Sequence, residues 1–380
     1  MTGQYIRMVA GNAEAYGQDA VSVADSNRFT IEISSLASVP TTTVIGGTAL
    51  AGYSDDDSLA LSSQASASSN EVSGRFESIS DMNLAMAAGN ARAYGQNAVS
   101  FAEGNHLTFE TATSVSNSTL ELYGGYSAAE SASGDLQSAQ ASASGNVVTG
   151  NFGSISDSTI SMVAGSAEAH GQDAVSTADG NRLTFEIATS MSNDNLSVGG
   201  GYSAAGYIDG DSLALSAQAS SSGNLVTGSI SGSVGQSSSL GIYGGRATAV
   251  AQDSTAVADN NRVQLSLEGV AADGSISLLL SGAVAQAQTR AAAGGNLVVV
   301  SGKDKVVSGT LYGAQVSTLQ WSGEADASDN RVEVSGIDLT GSITGAQVRN
   351  ENRDENSSGS VNAEGNVVVI SNSTIEGNLT

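Results

Sequence analysis

The sequence predicts an all-β protein whose chain coils into a parallel β-helix (a β-solenoid), with the right-handed sense that parallel crossovers prefer. Three observations lead to this prediction: a repeat along the whole chain, an alternation of apolar and polar residues inside each unit, and turn-forming residues at equivalent places. No stretch shows a sustained period of 3.6 residues with caps, so almost no helix is expected.

The long repeat is visible in three nearly identical segments, which cover residues 8–22, 86–100 and 162–176. They begin 78 and then 76 residues apart. Each long repeat divides into two shorter units, because an Asn followed two residues later by an apolar residue recurs about every 36 residues. These asparagines are Asn27, Asn70, Asn105, Asn146, Asn181, Asn224, Asn261, Asn296, Asn330 and Asn366.

We interpret residues 1–380 as one continuous solenoid of about ten such units. In residues 1–260, units with large residues after the Asn alternate with units that have Gly there, as Phe185 alternates with Gly228. Residues 261–380 form more uniform units. Stacked at about 4.8 Å per coil, the recurrent Asn forms a corner ladder of hydrogen-bonded amides. Because Asn tolerates a left-handed backbone, we expect it to adopt that conformation at the corner.

Each unit contains three runs with period 2, separated by turn clusters. In one unit the predicted strands cover residues 183–187, 196–205 and 213–219, which makes one three-sided coil per unit. Two shorter coils per unit remain an open alternative. Aromatic residues make up only 4% of the chain, so the interior is expected to be thin and rich in Ala, Val, Leu, Ile, Ser and Gly.

Composition excludes several function classes. The formal charge is −25, with Lys303 and Lys305 as the only lysines, which argues against nucleic acid and anionic membrane surfaces as partners. The chain has no Cys, which excludes disulfides and thiol chemistry. Its apolar runs are much shorter than the roughly 20 residues of a membrane-spanning helix, so no membrane insertion is expected.

Few residues suggest catalysis. His106 and His170 replace residues of other types in sister units, so both are interpreted as surface variation. The breaks in the repeat most typical of an enzyme groove are Trp321 and the turn at residues 303–305. Tyr126, Tyr202 and Tyr243 lie beside Gly-rich bends, and we expect them to pack over these bends, with a glycan-stacking stripe as the alternative. Candidate calcium ligands in two inserted acidic turns, otherwise interpreted as solvated loops, are Asp55, Asp56, Asp57, Asp209 and Asp211.

The runs at residues 122–129 and 145–150, and at 242–249 and 259–263, resemble repeats of autotransporter-type passenger domains of Gram-negative bacteria. The resemblance implies a long right-handed parallel β-helix on the bacterial cell surface, often an adhesin. The translocating β-barrel of that family is missing from the sequence. We therefore expect either an excised passenger domain or a separate stacking protein.

The function that this sequence favours is a non-catalytic, extracellular structural or adhesive solenoid: a cell-surface adhesin, a fibre or a coat subunit. The alternatives are a polysaccharide-degrading enzyme and a module that binds glycans or calcium on the same scaffold. No cofactor is expected, with Ca²⁺ as the alternative. Expected partners are other copies stacked end to end, since the repeat continues to Thr380, and a host or matrix glycan or protein.

Overall fold

The computed structural model of the protein contains strands and turns and, among the residues it describes, no helix. The described residues are 5–17, 19–37, 41–52, 62–130, 138–206, 214–235, 237–268, 276–319, 323–350 and 359–380.

The strands stack in three columns, each of which forms one face of the molecule. The first column, called here the bent face, pairs its strands in parallel and in register, as Thr119 with Thr159. Its strands are Tyr5–Ala15, Thr41–Ala51, Asn83–Tyr94, Thr119–Glu130, Thr159–His170, Asn195–Ala205, Ser239–Ala249, Ser277–Ala287, the second parts of Leu297–Thr318 and Arg331–Asn350, and Ile375–Leu379.

The second column, the alanine face, is a separate sheet of short strands with Ala pointing inward. Its strands are Asp19–Val23, Ser62–Ser66, Asn97–Phe101, Ser138–Ser142, Asp173–Thr177, Ala214–Ser220, Ala251–Val257, Arg290–Ala292, Glu324–Asp326 and Ser360–Asn362.

The third column, the phenylalanine face, contains the large inward residues that follow each recurrent Asn. Its strands are Arg28–Ala37, Glu71–Ser80, His106–Ser116, Val147–Ser156, Arg182–Ser192, Leu225–Ile230 with Ser233–Val234, Arg262–Leu267, the first parts of Leu297–Thr318 and Arg331–Asn350, and Val367–Ser371.

All pairings between stacked strands are parallel, which confirms the prediction of an all-β, solenoid-like architecture. One unit of the repeat makes one circuit of the three faces. The three strands predicted for the unit after Asn181 appear as Arg182–Ser192, Asn195–Ala205 and Ala214–Ser220. Among the described residues, the alternative of two shorter coils per unit is not observed.

The interior has two parts. Large side chains fill the space between the phenylalanine face and the first half of the bent face, and alanines fill the narrow space behind the alanine face. The small alanine side chains let two sheets approach closely, which explains how a chain with so few aromatics forms a packed core.

The alternation of Phe and Gly in the sequence is a packing device. Gly150 pairs with Phe109 in one neighbouring coil and with Phe185 in the other, so a ring lies on each side of it in one column. Phe152 enters the core two residues further along, with its ring centroid 5.4 Å from that of Phe109. A Cβ on Gly150 would lie 2.9 Å from the Phe152 ring. The glycine therefore makes room for the neighbouring rings.

The prediction that the ladder Asn itself adopts the left-handed backbone is wrong. The positive φ belongs to the preceding residue, for example Gly145 at 67° before Asn146, or Ser69 at 57° before Asn70. The ladder Asn is not among the residues with a positive φ, and its amide is hydrogen-bonded along the stack. The corner turns one residue earlier, where glycine pays no steric penalty for a positive φ.

The bent face is indented at its middle, where two consecutive residues, such as Gly124 and Gly125, both lie in the interior. A Cβ on Gly125 would lie 2.6 Å from the Asn146 Oδ1 atom. Glycine is thus needed because the bend approaches the asparagine corner closely. The same indentation leaves a groove along the outer side of this face.

Candidate functional site

The ten recurrent asparagines lie in one continuous column. Each donates from its backbone N and its Nδ2 to the Oδ1 of the next, as Asn105 does to Asn146 at 2.9 and 3.0 Å. The pattern runs from Asn27 to Asn366, over sequence separations between 34 and 43 residues. From Asn70 to Asn330 the side chains are completely buried. The column satisfies buried polar groups and holds coil to coil, and it presents nothing to a substrate.

A second, shorter ladder begins the strands of the bent face. The backbone N of Ser118 donates to the Ser158 Oγ, and the backbone N of Ser158 donates to the Asp194 Oδ1 at 2.9 Å. Asp194 is 3% exposed, and its Oδ2 accepts from the Ser192 backbone N. Burial raises the pKa of Asp194 to about 6, although both backbone hydrogen bonds act in the opposite direction.

The acidic turns that were candidates for calcium, with Asp55, Asp56, Asp57, Asp209 and Asp211, lie outside the described residues, and so does Trp321. Lys303 is exposed in a strand of the phenylalanine face. Within the described part of the chain, no group of three or more His, Asp or Glu side chains is placed to hold a metal ion.

The two histidines lie apart, on different faces. His106 is exposed at the start of a strand of the phenylalanine face. His170 ends a strand of the bent face, with its Nε2 atom 3.9 Å from the Glu168 Oε2 atom. Charged pairs on the phenylalanine face form between coils, as Arg28 with Glu71 at 2.6 Å, and within one strand, as Arg331 with Glu333 at 2.5 Å.

The tyrosines beside the glycine bends occupy the groove of the bent face. The Tyr243 ring lies over Gly199 of the preceding coil, in van der Waals contact that any side chain there would obstruct. This tyrosine therefore packs over a glycine bend as expected, but the glycine belongs to the neighbouring coil. Burial raises the pKa of Tyr243 to about 12, since the phenolate form would lose its hydration.

Arginines stack on two of these tyrosines. The Arg92 guanidinium carbon lies 5.2 Å from the Tyr126 ring centroid, and that of Arg246 lies 5.7 Å from the Tyr202 ring centroid. The Tyr126 hydroxyl also donates to the Glu168 Oε2 atom at 3.2 Å. The Tyr126 ring is thus held on one face by a cation and at its tip by a carboxylate.

A cavity of about 290 Å³ opens in the groove next to Tyr126. It combines two aromatic side chains with apolar, amide and guanidinium groups, a mixture found in small-molecule sites. Its lining residues are Thr43, Ile45, Ala85, Met86, Ala87, Asn90, Arg92, Tyr123 and Tyr126.

Of this constellation the sequence analysis identified only Tyr126. Asn90 and Arg92 lie in the repeated segment 86–100 and Tyr123 lies in the run 122–129, but these patterns do not mark a site. Tyr123 meets the other two because strands of consecutive coils lie in register. One signal was available: Ala87 is a small residue at a position that holds Tyr123 and Tyr243 in sister units. Aligning the units column by column would have shown this small residue, together with Gly199 and Ser281 in the same column.

Among the described residues no helix is long and apolar enough to cross a bilayer. In three comparisons with known proteins, no protein-family model, curated protein or solved structure matches this chain.

Proposed function

We propose that this protein is a non-catalytic structural and adhesive rod at the bacterial cell surface, in the manner of an adhesin stalk, a fibre or a coat subunit. In this proposal the rod is a right-handed solenoid of about ten coils, with about 36 residues in each. At about 4.8 Å per coil its length is roughly 50 Å.

The observation that carries the proposal is the unbroken asparagine column. Buried polar side chains are costly unless they are paired, and here eight consecutive fully buried asparagines are all paired with one another along the axis. These buried polar side chains thus link each coil to the next. Such a column stabilises a long stack of coils, whereas a catalytic site requires convergent groups in a cleft.

Charge supports an exposed, well-hydrated location for the rod. A formal charge of −25 on 380 residues keeps neighbouring molecules apart sideways. Along the axis the geometry is different, because the edge of a coil offers unpaired backbone groups in a fixed register. We therefore include end-to-end stacking of copies in the proposal.

Three measurements on the purified chain test this function. Electron microscopy is expected to show thin rods that associate end to end as concentration rises. Circular dichroism is expected to show a β spectrum that persists to high temperature. Incubation with a panel of polysaccharides, with and without a chelator, is expected to release no reducing ends. Turnover of any polysaccharide would contradict the non-catalytic role, and globular particles would contradict the rod.

The second candidate function is a glycan-binding module on the same scaffold. The specific observation that favours it is the cavity beside Tyr126, which the stacking of coils alone does not require. The two functions are compatible, since an adhesive rod needs a surface that recognises its target.

A further inference from the structure

The cavity opens beside Ala87, one of several small residues in a column that also holds tyrosines. Ala87 pairs in register with Ile45 on one side and with Tyr123 on the other, and the same column holds Tyr243 and Tyr312 in later coils. Gly199 and Ser281 are also small residues of this column; the Tyr243 ring covers Gly199, whereas the space beside Ala87 is open. The resulting volume of about 290 Å³ is at the lower limit for ligand pockets, which suits a single ring.

Much of the cavity wall is apolar, and Tyr126 is held in place by its neighbours. Tyr123 and Tyr126 contribute aromatic surface, and Ile45 and Met86 contribute aliphatic surface. The stacked Arg92 and the hydrogen bond to Glu168 hold the Tyr126 ring in place before any ligand arrives. Little conformational entropy is then lost on binding, so a small ligand with one flat, weakly polar face can be retained.

Two polar atoms at this groove have no hydrogen-bond partner among the described residues. They are the Asn90 Oδ1 atom and the Thr48 Oγ1 atom, which belong to paired positions of neighbouring coils. An unpaired buried acceptor is costly, and Asn90 is one of the residues that line the cavity. A ligand rich in hydroxyl groups offers donors and acceptors to the amide of Asn90, which lines the cavity.

The charges around the cavity restrict the ligand further. Arg92 at the rim disfavours a cation. The carboxylates of Glu121, Glu130 and Glu168 lie close enough to the two tyrosines to affect the pKa of their hydroxyls, and they disfavour an anion, as does the net charge of the chain. A neutral ligand satisfies both conditions.

We propose that the Ala87 cavity binds one ring of a neutral sugar, with the ring against Tyr123 and Tyr126 and the hydroxyls at Asn90 and Arg92. The inference rests on the adhesive role proposed above, and it names the class of target that such a rod would recognise. The role of the four side chains is binding, with no chemical step.

Calorimetric titration of the full chain with four soluble probes tests the ligand class. The probes are cellotetraose, mannotetraose, galactotetraose and tetragalacturonate. At least one neutral tetrasaccharide is expected to bind at millimolar concentration or below, and tetragalacturonate is expected to bind about tenfold more weakly. No binding of any neutral probe, or preferential binding of the uronate, would overturn the proposal.

Filling the cavity tests its position. Ala87→Tyr is expected to weaken binding about tenfold or more, without removing any ligand-contacting group. Thr344→Tyr is the matched control, because Thr344 lies in the same column and also pairs with a tyrosine, Tyr312. It is expected to bind like the wild type. Equal affinity of wild type and Ala87→Tyr, at unchanged circular dichroism, would contradict the assignment.

The aromatic contact is tested by a pair of substitutions at one position. Tyr126→Phe is expected to keep most of the affinity, and Tyr126→Ala to lose about tenfold. Assaying reducing ends in the same samples separates the two proposals. Shortened oligosaccharides would contradict the proposed non-catalytic function but not the proposed sugar site. Absence of binding would contradict the sugar site but not the non-catalytic function.

Discussion

At the scale of single residues, the asparagine column couples each coil to the next through buried amides. The Asn146 Oδ1 atom accepts two hydrogen bonds from Asn105, and the backbone N and the Nδ2 of Asn146 both donate to Asn181. Each side chain is thus a donor on one side of its coil and an acceptor on the other. Loss of one member leaves groups unpaired in a neighbouring coil that is itself unchanged.

Asn146→Ala is expected to lower the free energy of unfolding by about 3 kcal/mol, since the backbone N and the Nδ2 of Asn105 lose their acceptor in a buried place. Urea unfolding followed by circular dichroism measures the change. Asn366→Ala is the control, because this partly exposed member lets water replace the lost oxygen, so a loss of about 1 kcal/mol is expected. Equal losses would contradict a stabilising role for burial.

Asp194 makes the stability of the protein depend on pH. Its folded-state pKa, about 6, is above the ordinary value of 3.8, so the folded state binds this proton more tightly than the unfolded state does. The resulting stabilisation is fully present below about pH 4 and is lost as the pH rises through 6.

Asp194→Ser tests this, because Ser118 and Ser158 occupy the same position in neighbouring coils. At pH 7.5 the variant is expected to gain about 1 kcal/mol relative to the wild type, and at pH 4 to gain nothing. Urea midpoints at the two pH values measure the difference. If the difference in stability between variant and wild type were the same at both pH values, the pKa of Asp194 would not differ between the folded and the unfolded state.

At the scale of strands, the phenylalanine face depends on complementary volumes in adjacent coils. Gly150 lies between Phe109 and Phe185, and the Phe152 ring uses the space that the missing side chain leaves. A strand of this face is thus matched to its two neighbours and cannot be exchanged for an arbitrary apolar strand. This matching explains why large-residue and glycine units alternate in the first two thirds of the chain.

Gly150→Val is expected to lower the free energy of unfolding by about 1–3 kcal/mol, since its methyl groups meet Met162 and the Phe152 ring. Phe152→Ala is expected to cost about 3–5 kcal/mol through the cavity it leaves. Chemical unfolding of the double variant is expected to show a loss well below the sum of the two, because the valine occupies part of that cavity. Strictly additive losses would rule out a shared volume.

The strands could be predicted from the sequence because alternation and turn residues are local signals. The three runs after Asn181 were predicted within a few residues of their observed ends, apart from the first, which extends five residues further, to Ser192. The corner conformation was predicted at the wrong residue, since both Gly145 and Asn146 tolerate a positive φ and only the direction of the amide distinguishes them.

The cavity could not be predicted in the same way. Arg92 and Tyr126 are distant in sequence, and their contact depends on the register between coils and on the bend at the glycines. No local pattern encodes either quantity. The register itself was implied by the repeat, so a comparison of units by column would have indicated the small residue at Ala87, but not the orientation of the arginine.

At the scale of the whole molecule, a solenoid is stabilised by contacts between adjacent coils and has no contacts between distant ones. Removal of one complete unit is then expected to preserve the fold, because the coils on either side recreate the same interface. Removal of part of a unit shifts every following strand to a different face.

Deletion of residues 296–329 tests this expectation. It joins Gly295 to Asn330, which recreates the Gly-Asn corner found at residues 145–146 and 223–224. The variant is expected to keep a β-type circular dichroism spectrum and cooperative unfolding. Deletion of residues 296–312 is the control, and it is expected to abolish cooperative unfolding of the C-terminal region. If both deletions unfolded alike, the units would not be interchangeable modules.

The asparagine column also gives the rod a sense of direction. In every pair of neighbours the earlier Asn donates to the Oδ1 of the later one, although the Nδ2 of Asn261 and of Asn330 also donates to a backbone carbonyl of the preceding coil. At any boundary between two coils, the Asn of the earlier coil is therefore the donor and the Asn of the later coil is the acceptor. A second rod that joined the first in the same orientation would match N–H to oxygen, while an inverted rod would oppose like to like. A filament built from this protein would be vectorial, with two distinguishable tips.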